Sequence, residues 1–263
     1  LFFTPLIIRK IVRQILKIFL SYYQFKSLKK IFSKISSQNL IVVNGGYPGG
    51  ETSRLASIAW ASLGREKNIH TFHNFSTKSF FLMKFFENFI DKKLEKSVTH
   101  MVSVSKACLD SIKLRKHFKK NNKLSYIFNG VSFNYLDSSI KLNLRESLNI
   151  KNGLICLMLG TYEKRKGHEF LINSFNRACL VSENLYLVIC GDSNENDKKY
   201  VEKIRNNSVF KKKIFLLNYI KNGKDLINQS DIVLISSQEW ESFGFTAAEA
   251  MARKKPVIST NIG

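Results

Sequence analysis

Apolar positions fall along this chain in two rhythms that take turns. Short unbroken apolar runs predict strands at LIVVN (40–44), NIHTFHN (68–74), THMVSVS (99–105) and LSYIFNG (124–130). Between them, apolar residues recur three or four apart, the spacing of one helix face. Such stretches run from Glu51 to Arg65, from Ser79 to Lys96 with an aromatic face from Phe81 to Phe89, and through KACLDSIKLRKHF (106–118). Residues 132–152 carry no strand signal and only one short helical stretch, LRESL. The alternation then restarts. LICLMLG, LYLVICG, KIFLLNY, DIVLISS and PVIST read as strands, and HEFLINSFNRACL, KYVEKIRNN, KDLINQS and GFTAAEAMARKK as the helices between them. Apolar runs without polar alternation are how parallel strands covered on both faces look. Strands alternating with helices give an α/β, doubly wound architecture. The expected organisation is two Rossmann-like domains with parallel sheets facing a cleft. Residues 1–135 form an incomplete N-terminal Rossmann-like domain, 136–152 a linker and lead-in, and 153–263 a second Rossmann-like domain. Ligands of such sheets sit beyond the carboxyl ends of the strands, and each motif below falls at such an end.

The opening segment, LFFTPLIIRKIVRQILKIFLSYYQF, is apolar but broken by Arg9, Lys10, Arg13 and Lys17. A membrane span needs about 20 apolar residues with few charges, so this is not one. Ile8, Ile11, Val12, Ile15, Leu16 and Phe19 recur at helical spacing beside a basic face. Two readings stay open: a domain helix packed on its own sheet, and a helix lying on anionic lipid. The chain begins at Leu1 and stops at Gly263 inside a strand-to-loop turn, so the expectation is a fragment cut at both ends.

Composition sharpens this picture in three places. An apolar fraction of 44% over 263 residues is enough to bury a core in each of two domains. The 42 basic residues against 20 acidic ones leave a net charge of +22, which either favours polyanions or reflects a lysine-rich composition throughout. The four cysteines form no CxxC pair, and Cys156 and Cys190 lie inside apolar runs. Buried reduced thiols and a reducing, cytoplasmic setting follow, with a peripheral position at the inner face of a membrane as the variant that the first segment leaves open.

The strongest constellation is QEWESFGFTAAEAMARKKPVIST. Glu241 and Glu249 are eight positions apart, Gly244 stands between Phe243 and Phe245, and Ala247-Ala248 opens a helix. The backbone N–H groups of Phe243, Gly244 and Phe245 then belong to a helix N-terminus, which accepts anions or hydroxyl oxygens. A carboxylate such as Glu249, an acceptor only, suits two neighbouring sugar hydroxyls. The plain alternative is an amphipathic helix with solvated acids. The run resembles the family-4 glycosyltransferases of GT-B fold. These carry a Glu, seven residues, Glu signature around a Phe-Gly-Leu-like centre, followed by Glu-Ala-Met-Ala and Pro-Val. Here the corresponding residues are Glu241, Phe243-Gly244-Phe245, Glu249-Ala250-Met251-Ala252 and Pro256-Val257, with Ser236 where proline is usual. By that resemblance Glu249 would hold the donor ribose and Glu241 would lie near the transferred sugar or its phosphate.

A second stretch, LGTYEKRKGHEFLINSF, resembles the family's strand, Gly, usually Arg, then Lys-Gly opening a helix. Gly160, Lys166 and Gly167 fit, but Thr161 stands where arginine is usual. Arg and Lys together neutralise a departing diphosphate, and Arg165 is the neighbouring candidate for the missing charge. Taken alone, EKRKG is a basic loop on a basic protein. Weaker matches are IFNGVS, VSVSKACLDSI, NQSDIVLISS and LVICGDS, the last with Ser193 at a common glycine. The resemblance covers residues 38 to 263 and is looser in the first domain.

In the first domain, NGGYPGGETSR places Gly45, Gly46, Gly49 and Gly50 between a strand and a helix. The spacing matches no known phosphate cradle; it reads either as a tight turn or as an acceptor or phosphate loop. His73 ends its strand, and the resemblance implies that it faces the donor sugar. No Asp-x-Asp pair and no His/Cys cluster occurs, so no metal and no cofactor are expected, with Arg165, Lys166 and helix ends meeting the diphosphate. The expected activity is transfer of a sugar from a nucleotide-diphosphate donor to a glycan, lipid-linked or small acceptor, with retention implied by the resemblance. Expected partners are the nucleotide sugar, the acceptor and an anionic membrane surface; no specific nucleic acid is expected. A sugar-phosphate enzyme of the same fold, phosphorylase or epimerase, and a non-enzymatic polyanion binder are the alternatives.

Overall fold

The apolar runs become strands where expected, each equal to its run at the carboxyl end or one to four residues shorter. The structure, a computed structural model, describes residues 6–132, 143–192 and 194–263, without the side chains of residues 6–11 and 13. The first five residues of the opening segment, positions 136–142 of the expected linker, and Ser193 lie outside the described residues.

The chain divides into two compact units, Leu1–Asn129 and Gly130–Gly263. In the first, α1 (Leu6–Phe32) precedes β1 (Leu40–Asn44), α2 (Glu51–Ala61), β2 (Asn68–Phe72), α3 (Lys84–Ser97), β3 (His100–Ser103), α4 (Lys106–Lys113) and β4 (Leu124–Tyr126). The sheet is parallel, with order β1-β2-β3-β4. When every right-handed crossover advances the sheet in one direction, every helix lands on the same side. The burial follows that rule. Val42, Asn44, His70, Phe72, Met101 and Ser103 are buried on one face, whereas Ile41 (68% exposed), Val43 and Ile69 on the other are open. The expectation of strands covered on both faces therefore fails in this unit, because its strand order never reverses.

The second unit comprises α5 (Leu144–Ser147), β5 (Leu154–Leu159), α6 (His168–Val181), β6 (Leu185–Cys190), α7 (Glu195–Asn207), β7 (Ile214–Leu217), α8 (Leu226–Gln229), β8 (Ile232–Ile235), α9 (Phe245–Ala252) and β9 (Val257–Ser259). Its parallel order, β7-β6-β5-β8-β9, reverses at β5, and here helices cover both faces. Cys156, Met158, Leu187 and Ile189 pack under α6 and α7, while Ile155, Leu157, Val188 and Val233 pack under α5, α8 and α9. The described part of the expected linker belongs to this unit. Leu144 and Ile150 are buried in the second core, Leu144 N–H donates to Gln229 Oε1 at 2.8 Å, and Arg145 pairs with Asp231 at 2.9 Å.

The opening stripe behaves differently from a domain helix resting on a sheet. α1 packs on α2, with Phe32 edge-on to Trp60 and Lys17 paired with Glu51 and Glu87. Val12, Ile15, Leu16 and Phe19 remain exposed. The four cysteines are all free and buried, and burial pushes the Cys156 thiol up to about 11.

Candidate functional site

Gly160 follows directly on β5, and its N–H donates to Cys190 O at the end of β6 (3.1 Å). The chain then dips inward: Tyr162 is buried and its hydroxyl donates to Ile189 O and Leu217 O. It re-emerges in a single helical turn, Lys164–Lys166, before Gly167 starts α6. Gly167 has φ 71°, and any Cβ there would run into the Ser236 carbonyl oxygen, so only glycine fits. Here the loop after β5 is zipped to the loop after β8. Gln238 N–H donates to Arg165 O and the Ser236 hydroxyl to Lys166 O, both at 2.8 Å. Ser236 thus makes a bond that a proline at this position lacks.

This zipper brings Lys166 Nζ to 2.7 Å from Glu241 Oε2, which also accepts from the Ser237 hydroxyl at 3.1 Å. The Glu241 backbone is braced from behind, its N–H donating to Ile262 O, while Thr260 Oγ1 donates to Ser237 O. Gly244 takes φ 82° to enter α9. The first intrahelical bond is made by Ala248 N–H to Gly244 O, so the N–H groups of Gly244, Phe245, Thr246 and Ala247 have no partner within the helix. Gly244 and Phe245 are among the donors expected at this end, and Phe243 precedes them. Glu249 lies just over one turn further on, half-buried.

Two cavities meet at the carboxyl ends of these strands. One of about 280 Å³ holds Arg165, Lys166, Ser236, Ser237, Glu241 and Gly244 between β5 and β8, where the strand order reverses. The other, of about 530 Å³, lies over the ends of β5, β6 and β7 and holds Gly191, Tyr219, Ile220, Lys224 and Glu249. Leu159, Gly160, Thr161 and Thr246 line both. A reversal of strand order opens such a crevice because the flanking loops leave in opposite directions. An elongated ligand with a polyanionic middle fits this pair, because Arg165 and Lys166 lie together in the smaller cavity and the Glu249 carboxylate in the larger.

Arg165 donates from Nε to Glu163 Oε2 at 2.6 Å, and Thr161 Oγ1 donates to the other oxygen of Glu163 at 3.0 Å. Burial raises the Glu163 pKa, but the bonds from Arg165 and Thr161 outweigh it and hold the group below the usual range. His168 is buried against the Tyr162 ring and burial lowers it to about 4, which makes it a core residue.

The first unit holds the other expected residues. Gly45, Gly46, Gly49 and Gly50 form the loop between β1 and α2, and His73 directly follows β2. Both meet at Asn44: its side chain accepts from Gly46 N–H (3.0 Å), its carbonyl from His73 N–H (2.9 Å). Tyr47 anchors the loop beneath, its hydroxyl on Asp91, which also accepts from Arg115 Nε (2.7 Å). Glu51 occupies the first turn of α2 and pairs with Lys17, so this helix end already carries a carboxylate. Among the described residues no cluster of His, Cys, Asp and Glu could hold a metal, and no helix is long and apolar enough to cross a membrane.

Sequence reasoning missed Thr246, Tyr219, Lys224, Glu163 and Trp240. Tyr219 and Lys224 stand in the connection that follows β7, and Thr246 in the first turn of α9 after β8, so the rule of carboxyl ends, applied to these connections as well, points to them. Glu163 and Trp240 carry no such mark.

Comparison with known proteins fits this geometry. Residues 140–263 match the family model of glycosyl transferases group 1. An uncharacterized glycosyltransferase of Methanocaldococcus jannaschii, MJ1607, is 30% identical over 149 residues, 54% of this chain and 37% of that protein. The chain therefore spans little more than a third of that relative. A glycosyltransferase from Rickettsia africae ESF-5 superposes with a TM-score of 0.71 at 25% identity, covering 93% of this chain and 63% of that one. Anabaena Alr3699/HepE, solved in complex with UDP and glucose, shares the fold at 18% identity, with a TM-score of 0.66 over 85% of this chain and 59% of its own. The two parallel-sheet units thus have the α/β fold of the GT-B glycosyltransferases, and residues 140–263 are similar to the glycosyl transferases group 1 family.

Proposed function

We propose that this protein is a glycosyltransferase that moves a sugar from a nucleotide-diphosphate donor to an acceptor hydroxyl, with retention at the anomeric carbon. The observation that carries the reading is the pair of joined cavities, with Glu249 in one and Lys166 beside Glu241 in the other. The nucleoside occupies the larger cavity, where Glu249 accepts from ribose hydroxyls. The diphosphate lies over Gly160 and Thr161, met by Lys166, Arg165 and the N-terminal end of α9 near Gly244 and Phe245. Negative charge grows on that diphosphate as the glycosidic bond breaks, so fixed cations favour the transition state over the ground state. The leaving phosphate oxygen takes the acceptor proton, and Glu241 orients the sugar. No metal is needed, because these cations take its place. The resemblance turns His73 toward the donor sugar, and the Gly45–Gly50 loop serves the acceptor or a phosphate. The exposed apolar and basic face of α1 touches anionic lipid, which would present a lipid-linked acceptor.

The UDP and glucose named for the Anabaena protein make uracil the first base to try. Titration of the melting temperature with UDP, GDP and ADP tests the site. One nucleotide at 100 times its dissociation constant adds about 2.7 kcal/mol of stability, and Glu249→Ala abolishes the shift. A folded sample of the full-length gene product that responds to none of the three refutes the donor site.

A further inference from the structure

The donor side of this chain lacks one cation where the resemblance expects it, and the structure holds another in an unusual way. Thr161 and Arg165 line the same cavity and are bridged by one carboxylate, Glu163, which accepts from Thr161 Oγ1 with one oxygen and from Arg165 Nε with the other. The Arg165 guanidinium also lies over the Trp240 ring, 5.6 Å from its centroid, and its backbone carbonyl is held by Gln238 N–H. Backbone, Nε and guanidinium face are thereby all fixed. A guanidinium that spends Nε on a carboxylate keeps its two terminal nitrogens, four N–H donors in a rigid plane, for another oxyanion. Lys166, the neighbouring cation, is engaged by Glu241.

We propose that Glu163 is a positioning residue. It holds Arg165 in place as the second cation for the donor diphosphate, and so supplies through a bracket what an arginine at position 161 would supply directly. The inference rests on the donor reading of the second unit. It runs against simple charge counting, since a carboxylate beside a diphosphate ought to weaken binding, and that difference of sign makes it testable.

The test is calorimetric binding of a nucleoside diphosphate and of its parent nucleoside to the full chain, in wild type and five variants. Arg165→Gln should raise the diphosphate Kd about tenfold and leave the nucleoside Kd unchanged, the size expected for one charge-assisted contact. Glu163→Ala should also weaken diphosphate binding several-fold, with no effect on the nucleoside, and Glu163→Gln, which keeps one acceptor, should fall between. In the Arg165→Gln background, Glu163→Ala should cost nothing further, and Thr161→Arg should restore affinity. Tighter or unchanged diphosphate binding in both Glu163 variants overturns the proposal, as does an Arg165→Gln protein that binds like wild type. If wild type itself binds no nucleoside diphosphate, the donor reading falls and this inference with it; binding by wild type and Arg165→Gln alike removes only the inference.

Discussion

Lys166 and Glu241 are 75 positions apart in sequence and 2.7 Å apart in space. Each is fixed by its own loop, and the two loops are zipped together at Ser236 and Gln238. In the empty site the pair neutralises itself. On the donor reading proposed above, a bound diphosphate would compete with Glu241 for Lys166 and release the carboxylate toward the sugar. Glu241→Gln should therefore leave nucleotide affinity equal or slightly tighter while cutting turnover at least tenfold; steady-state kinetics beside a binding isotherm separates the two, and near-normal turnover refutes the role. At this scale the motif residues were legible. Gly160, Lys166, Glu241 and Glu249 occur at spacings that only a strand-turn-helix arrangement brings together. Glu163 and Trp240 were not legible, because their roles come from side-chain contacts between loops that no periodicity records.

At the level of elements, the strand and helix order follows from the apolar rhythm. Most strand boundaries move by a residue or more, since the residue after each strand is already turning toward the site. Helix α1 kept two readings open, and its exposed Ile15, Leu16, Phe19, Tyr22 and Tyr23 make the proposed lipid contact testable. Buried apolar area and attraction to anionic headgroups act together in such a helix. Sedimentation with vesicles should show the protein bound to phosphatidylglycerol and free of phosphatidylcholine, and Phe19→Glu should release it. Equal partition between the two vesicle types rules the contact out. What the sequence does not encode visibly is how many faces of a sheet are covered, since LIVVN reads the same whichever side the crossovers take.

Over the whole molecule, a buried neutral histidine in each unit makes stability acid-sensitive. Burial, with the Arg54 charge, lowers His70 to about 3, and burial lowers His168 to about 4. Both are neutral when folded but take up a proton when unfolded below about pH 6.5. Stability is therefore complete above that pH and is lost as pH falls toward the folded values. By pH 5 the linkage amounts to about 2 kcal/mol for each histidine. Melting curves from pH 8 to 5 at constant ionic strength should show both units weakening, and His168→Phe should blunt the loss in the second unit alone; a flat profile contradicts the buried neutral state. The division into two units was legible from the restart of the strand-helix alternation, but the place of residues 143–152 was not. Their two anchoring residues, Leu144 and Ile150, are too few to register as a pattern. The first sheet, apolar on both faces and clothed on one, carries a practical consequence. Ile41 and Val43 offer a greasy plane beside a parallel edge strand, and such planes find company. At the bench the chain will behave as a sticky colloid, taking up hydrophobic dyes while still folded and scattering light as it is concentrated, long before any helix melts.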